Sequence, residues 1–356
     1  MIGRARGIVA LALGLLLGAQ VALAQSVPEV IRIGVPDLST RAKPYAPGLL
    51  GVAHQRQQLE QAFAQQGTRV EWHFFRGAGP AINEAFANGQ LDFAALGDLA
   101  AIIGRASGLD TRLLLGSRGT HLFLASTPQA GIRQIQDLKG KRVALYRGTA
   151  DQLSFGRVLA NAGLSEKDLK IINLDWTAAM AALVAGQIDA TWSNYNLLTL
   201  RSQGIEVPLS TQSMPLLATT QSGLVASQGF IQRYPEATQT LVDVLVSNAA
   251  WLKVPEHYEQ YLVQQEQASG IPAALAREEA AGGDLDFRFS PRLDAFLSTS
   301  FSQSIEQAKA LRLIRRSFEV KDWFAPQFVE QALRRQQLQG TWPDYDSQGR
   351  ATAPAG

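Results

Sequence analysis

Ala87-Asn88-Gly89-Gln90-Leu91-Asp92-Phe93-Ala94 recurs, altered but legible, as Val184-Ala185-Gly186-Gln187-Ile188-Asp189-Ala190-Thr191. Each copy closes a short apolar run of helical character, at 82–86 and 180–184. Gly89 and Gly186 stand where a helix needs a left-handed residue to stop. Leu91 and Ile188 then open a strand. The strands exit into polar residues, Gly97-Asp98 in the first copy and Ser193-Asn194-Tyr195 in the second. Ligands bind beyond the carboxyl ends of strands in open α/β sheets. The repeat therefore predicts two α/β lobes, each offering a loop to one shared cleft.

Outward from the repeat, strands and helices alternate, which implies parallel pairing. Residues 31–36 read as a first strand ended by Pro36, 37–49 as a loop, 54–66 as a helix and 70–75 as a second strand. Gly77-Ala78-Gly79-Pro80 turns into a helix with Pro80 suited to its first position. A helix over 99–106 and a strand over 111–115 follow. A second echo, Leu122-Phe123-Leu124-Ala125-Ser126 and Gly223-Leu224-Val225-Ala226-Ser227, reads as paired crossings between the lobes. Between them lie strands at 142–146, 169–173, 188–192 and 205–208, and helices at 151–162, 178–184 and 196–202. After Ser227 the pattern turns helical, with Leu241, Val244, Leu245 and Leu252 on one face. Further helices are expected at 258–269, 290–311 and 325–338. The stretch 340–356, rich in Gly, Pro and polar residues, is expected to be loose.

The N-terminus reads as an export signal. Arg4 and Arg6 precede an uncharged, mostly apolar run over 7–24, and Ala22-Leu23-Ala24 is a small-x-small cleavage triplet. The mature chain is expected to begin at Gln25, outside the cytoplasm. No cysteine is present among the 356 residues. That excludes disulfides, thiolate catalysis, thiolate metal sites and a lipidated cysteine. The chain carries 33 basic and 31 acidic residues; without Arg4 and Arg6 the two are equal. No basic run interleaved with aromatics is present, so nucleic acid is not an expected partner. The length suits two domains.

The series Phe75-Arg76-Gly77-Ala78-Gly79-Pro80, Gly89-Gln90-Leu91-Asp92, Gly97-Asp98, Ile135-Gln136-Asp137-Leu138-Lys139-Gly140-Lys141-Arg142-Val143-Ala144 and Gly186-Gln187-Ile188-Asp189-Ala190 resembles the aliphatic-sulfonate, taurine and nitrate group of periplasmic solute-binding proteins of ATP-driven (ABC) importers. The resemblance covers roughly 31–324. It implies an α/β chain with the type II periplasmic-binding-protein fold, two α/β lobes joined by a two-strand hinge. The expected division is a signal peptide at 1–24, lobe I at 25–118 and 222–340, lobe II at 119–221, and a loose tail at 341–356.

Several residues are candidates to meet a ligand. Gly148-Thr149-Ala150-Asp151-Gln152 leads from a strand into a helix, where Thr149 can cap and Gln152 can complete a capping box. Such an N-terminus suits a sulfonate or carboxylate, and the resemblance implies ligand contacts here; an ordinary capped helix satisfies the same motif. Asp151 opposes an anion at that spot, so either it points away or the ligand carries a cationic group or donors. Asp98, beside Gly97, either faces the cleft, as the resemblance implies, to hold an amine or hydroxyl, or caps the next helix. Asn194 and Tyr195 hold the matching place, where relatives commonly carry Trp-acidic-Pro. Tyr195 and Trp192 could form an aromatic wall, although Trp192 also fits core packing. Asp37 and Ser39 lie in a loop where the resemblance implies contact; a solvated turn is the alternative. Arg76 could pair bidentately with an oxyanion or stand in solvent. Thr219, Thr220 and Gln221 could reach the cleft.

Catalytic sets are poor. His54, His73, His121 and His257 form no H-E-x-x-H motif, and no G-x-S-x-G elbow, P-loop or G-x-G-x-x-G is present. The expected function is reversible, non-enzymatic binding of a small organic anion, an aliphatic sulfonate, taurine or similar, for delivery by a periplasmic monomer to a membrane ABC permease, with no cofactor and no metal. Two alternatives remain: an enzyme or binder for a thiamine-pyrimidine-like heterocycle on the same fold, and a binder of a flat heterocycle stacked on Tyr195, Trp192 and Phe75.

Overall fold

The computed structural model describes residues 27–39 and 43–352. The expected export segment and the last residues of the tail lie outside them. In chain order the main strands are β1 (Val30–Pro36), β2 (Arg69–Phe75), β3 (Phe93–Gly97), β4 (Thr111–Thr120), β5 (Phe123–Ser126), β6 (Arg142–Leu145), β7 (Lys170–Asn173), β8 (Ala190–Ser193), β9 (Glu206–Ser210) and β10 (Thr220–Ser227). They form two five-stranded sheets, ordered β2-β1-β3-β10-β4 and β7-β6-β8-β5-β9. The pairings correspond strand for strand. β1 runs parallel to β2 and β3, with β10 antiparallel to β3. Likewise β6 runs parallel to β7 and β8, with β5 antiparallel to β8. These are the two α/β lobes of the periplasmic-binding fold.

The two Ala-Ser segments, β5 and β10, are thus equivalent strands and not themselves the crossings. The chain leaves the first sheet at 121–122, between β4 and β5, and returns over 211–219, just before β10. β4 and β10 are neighbours paired out to Thr120 and Thr220, so two adjacent strands carry both crossings. That pair is the hinge.

The repeated phrase has a mechanical reason. Gly89 and Gly186 adopt φ of 67° and 68°, the left-handed stop expected of them. The strands, however, begin two residues later than the sequence suggested, at Phe93 and Ala190, because the aspartates act first as clamps. Asp92 N donates to Arg32 O at 3.0 Å, and its Oδ2 accepts from Arg32 N at 2.8 Å. Asp189 repeats this on Arg142, at 2.8 and 2.7 Å. On the other side, the carbonyls of Asp92 and Asp189 accept from Ser227 N and Thr127 N. Each aspartate ties the start of its strand to both neighbours.

The helices are α1 (Gly48–Gln55), α2 (Gln58–Phe63), α3 (Ala78–Ala87), α4 (Asp98–Ala106), α5 (Ala150–Asn161), α6 (Trp176–Val184), α7 (Gln228–Arg233), α8 (Pro235–Leu252), α9 (Pro255–Ser269), α10 (Ala273–Ala280), α11 (Leu285–Phe289), α12 (Ala295–Ala310) and α13 (Gln327–Arg335). Parallel strands need cover on both faces, and both are covered. Ile31, Ile33 and Val35 pack with Leu241 and Leu245 of α8. Ala94 and Leu96 pack with Ile102 of α4 and Phe301 of α12. In the second lobe Trp192 is 1% exposed and lies against Phe155, centroids 5.6 Å apart, so it belongs to the core.

Other expectations need correction. The helix predicted over 54–66 breaks at Gln57, whose φ is 53°. Pro80 is the third residue of α3, because the helix already begins at Ala78. The region predicted as a single helix over 290–311 starts at Ala295, capped by Asp294, whose Oδ1 accepts from Leu297 N. The tail is not loose as far as residue 352. Trp342 and Tyr345 are buried, and β11 (Asp344–Tyr345) pairs with β12 (Ala351–Thr352).

One helix departs from the two-lobe plan. α10 follows β10 in the chain yet docks on the second lobe. Its Glu278 carboxylate meets Arg201 Nη1 at 2.8 Å, its Glu278 carbonyl accepts from Gln212 Nε2 at 2.6 Å, and Leu275 packs onto the core that holds Leu197 and Ile205.

Candidate functional site

A cavity of about 290 Å³ lies at the carboxyl ends of β1 and β3. Val35 and Pro36 of β1, Ala95 to Gly97 of β3, and Tyr45 to Pro47 with the first residue of α1, Gly48, form one side. Asn194, Tyr195 and Asn196 reach it from the exit of β8 in the other lobe. Tyr258, Tyr261 and Gln265 of α9, with Glu279 of α10 and Arg288 and Phe289 of α11, cover it. Arg118 and Thr120 approach along the hinge strand β4.

The lining is aromatic and its charges are paired. Arg288 forks onto Glu279 through two bonds of 2.8 and 2.7 Å. Glu279 also accepts from His121 N at 2.8 Å. Burial works against the Arg288 charge, but the adjoining Glu279 carboxylate holds its pKa above the usual range. Arg118, 1% exposed, pairs with Asp294 at 2.6 Å, and its Nε has no hydrogen-bond partner. Such a buried pair gains little net stability, but breaking it strands a charge. Burial, with coupling among the hydroxyls, pushes the Tyr45, Tyr195 and Tyr261 pKa values upward, so these phenols stay protonated donors. Tyr261 Oη accepts from Gly48 N at 2.6 Å. Tyr45 Oη lies beside Tyr261 and Gln265 without a hydrogen bond of good geometry to either.

Of the residues expected to meet a ligand, Gly97, Asn194 and Tyr195 line this cavity. The others serve elsewhere. Asp98 is wholly buried; its carboxylate accepts from Leu99 N at 2.7 Å and Ser304 Oγ at 3.2 Å, and it pairs with Arg157 at 3.5 Å. Arg157 belongs to α5, so the pair joins the lobes. Burial raises the Asp98 pKa against the pull of Arg157. Asp151 resolves the conflict noted from sequence by pointing away from the cavity: its Oδ2 accepts from Trp176 Nε1 at 2.9 Å and Ser193 Oγ at 2.8 Å. Burial pushes its pKa up to about 6, the two hydrogen bonds lower it, and the charge of Asp98 adds to the rise.

The start of α5 is not an open anion site here. Thr149 holds the cap position, but its hydroxyl donates back to Tyr146 O at 2.7 Å and caps nothing. The expected capping box is absent: Gln152 Oε1 accepts from Gly148 N, and its Nε2 donates to Glu166. Ala150 sits against Gly97, where an added Cβ would lie 2.9 Å from the Ala150 Cβ. Gly148, with φ of 78°, lies against Pro80. The lobes therefore touch along this edge. Asp37 organises its own loop: Oδ1 accepts from Ser39 N at 3.0 Å and Tyr45 N at 3.2 Å. Arg76, its side chain 82% exposed, stands 3.6 Å from Asp37. Thr220 Oγ1 donates to Thr120 O at the hinge. Trp192 and Phe75 pack in cores and supply no stacking wall. Sequence reasoning missed Tyr45, Tyr258, Tyr261, Glu279 and Arg288. Tyr258 and Tyr261 share a helical face at i and i+3, but nothing local marks that face as cavity rather than core. Among the described residues no group of three or more His, Asp or Glu could hold a metal.

The sequence model described as NMT1/THI5 like matches residues 63–257, and the chain belongs to that family. A protein of Bacillus subtilis strain 168 provisionally named aliphatic sulfonates-binding protein is 28% identical over 213 residues, 59% of this chain and 63% of that protein. A counterpart of the same name in Escherichia coli K12 is 30% identical over 211 residues, 57% of this chain and 62% of that protein. The chain thus spans a little under two thirds of the length of these curated relatives. Among solved structures, the periplasmic sulfonate-binding protein SsuA from Methylobacillus flagellatus KT superposes with a TM-score of 0.77 at 29% identity, covering 90% of this chain and 99% of that one. The desulfurization enzyme DszB also shares the fold, with a TM-score of 0.65 at 15% identity, over 86% of this chain and 99% of that one.

Proposed function

We propose that this chain is the periplasmic solute-binding component of an ABC importer and that it carries a small organic sulfonate in the cavity between its lobes. The observation that carries this reading is the cavity itself: it sits at the carboxyl ends of β1 and β3, is met by Tyr195 from the opposite lobe, and is lined by Arg288 and neutral phenols. The names of the sulfonate-binding relatives agree with it. Gly97, Asn194 and Tyr195 contact the ligand, while Asp98 holds the lobes together through Arg157 and Asp151 is anchored within lobe II by Trp176 and Ser193. Lobe I comprises 25–118 and 222–340, and lobe II 119–221.

Binding is reversible and breaks no bond. Ligand favours the closed arrangement because loops from both lobes touch it only there, and the closed protein docks as a monomer on its permease. A cysteine-free chain has no thiolate nucleophile to offer.

The test is a thermal-shift and calorimetric screen of the mature chain against sulfonates, sulfate esters, nitrate and pyrimidines, with mass analysis of recovered ligand. A saturable rise in melting temperature with sulfonates returned unchanged is expected. Product formation, or no response to any organic anion, overturns the reading. Export is checked by the N-terminus of periplasmic protein, expected at Gln25.

A further inference from the structure

The cavity carries more information than a preference for anions. Its walls hold Tyr45, Tyr195, Tyr258, Tyr261 and Phe289. Tyr258 meets Phe289 edge-on at 5.6 Å and Tyr261 at 6.2 Å, so the rings form one continuous wall, which Tyr195 extends from the other lobe. Aromatic surfaces favour a flat ring in offset or edge-to-face contact over an alkyl chain of similar area. A volume of about 290 Å³ falls at the small end of ligand pockets, enough for one ring with a head group.

The charges select further. Among the described residues Glu279 is the only carboxylate of the lining, and it is already paired with Arg288 and accepts from His121 N. Asp98, the acid expected from sequence to hold an amine, is buried against Arg157 instead. An ammonium entering this cavity meets no free counter-charge, and desolvating it unpaired is costly. An oxyanion meets the Tyr45 hydroxyl, which is buried, lines the cavity and has no hydrogen bond of good geometry, whereas the Arg118 guanidinium is turned to Asp294 and the rings of Phe287 and Phe296.

We infer that the cavity recognises an aromatic sulfonate, one aryl ring bearing one sulfonate and no ammonium, with Tyr195 as a residue that sets this preference. The inference rests on the sulfonate-binding reading above. Tyr195 is singled out because it alone among these rings comes from the second lobe, so it closes on the ligand as the lobes meet.

The experiment is isothermal titration of the mature chain with benzenesulfonate, ethanesulfonate, taurine and the uncharged analogue benzamide. Benzenesulfonate is expected to bind at least about tenfold more tightly than ethanesulfonate, the size of one or two aromatic contacts. Taurine is expected to be weaker than ethanesulfonate, and benzamide weaker than benzenesulfonate. Tyr195→Leu is expected to lower benzenesulfonate affinity about tenfold and leave ethanesulfonate within twofold, while Tyr195→Phe keeps the aryl preference and controls for folding. Ethanesulfonate or taurine binding as tightly as benzenesulfonate overturns the inference and leaves the sulfonate reading standing. Benzamide matching benzenesulfonate also overturns it. Failure of every sulfonate overturns both.

Discussion

The two lobes share a plan and diverge at one point. Asp92 and Asp189 clamp Arg32 and Arg142 in the same way, and β3 and β8 then run in the same setting. At the strand exits Gly97 corresponds to Asn194 and Asp98 to Tyr195. Each second member begins a helical turn, α4 in one lobe and the 3₁₀ segment Tyr195–Gln203 in the other. Asp98 turns into the protein to pair with α5, while Tyr195 turns into the cavity. One position of a shared scaffold thus holds the lobes together in one copy and lines the cavity in the other. The scaffold is the repeated part, and the chemistry is carried where the copies differ.

The largest test of that division is Asp98→Ala. It leaves Arg157 buried without its carboxylate and is expected to cost about 3 kcal/mol or more in chemical denaturation. Tyr195→Leu at the matching site should act mainly on ligand affinity. Equal stability losses at the two positions would remove the contrast.

The two carboxylates at the lobe contact, Asp98 from α4 and Asp151 from α5, provide the next test. Only Asp98 has a cation beside it. The folded pKa of Asp151, raised to about 6, means that folding favours its protonated form. Its contribution is therefore complete below the ordinary carboxylate value and lost as pH rises through about 6. The expected loss is about 3 kcal/mol across that window. Asp151→Asn should remove this slope and raise the melting temperature at pH 7.5. A variant with the wild-type pH profile would contradict the assignment.

Gly97 and Asn194 give a smaller effect. Gly97→Ala places a Cβ against Ala150, and overpacking of about 1–3 kcal/mol predicts a loss of ligand affinity of about five- to 150-fold by calorimetry. Asn194 Oδ1 accepts from Asn196 N, so Asn194→Ala should cost about 1 kcal/mol of stability through the lost cap. Unaltered binding by Gly97→Ala would show that the lobes need not meet there.

The clamps themselves differ least. Burial raises the Asp92 pKa, so its contribution fades as pH rises, whereas the Arg142 side chain lowers that of Asp189, so its contribution fades as pH falls. Carboxyl titration by NMR should place the two midpoints on opposite sides of the ordinary value. Midpoints on one side would mean that the clamps are electrostatically alike.

Much of the architecture was legible because glycine and aspartate act locally. A left-handed stop at Gly89 and a polar exit at Asp98 depend on immediate neighbours. What the sequence concealed depends on distant partners. Nothing near Asp151 announces Trp176 and Ser193, and nothing near Thr149 announces that α5 will press on Gly97. The cavity wall from α9 to α11 was unreadable for the same reason, since an aromatic helical face looks alike whether it covers a core or a ligand. Tyr195 was legible because its place after β8 is fixed by the repeat.

α10 joins two environments through consecutive residues. Glu278 grips Arg201 on the outer flank of the second lobe, while Glu279 lies inside against Arg288. A single peptide unit connects them, so any shift of the inner carboxylate is carried to the outer contact. The outer flank of the second lobe is thereby wired to the wall of the cavity.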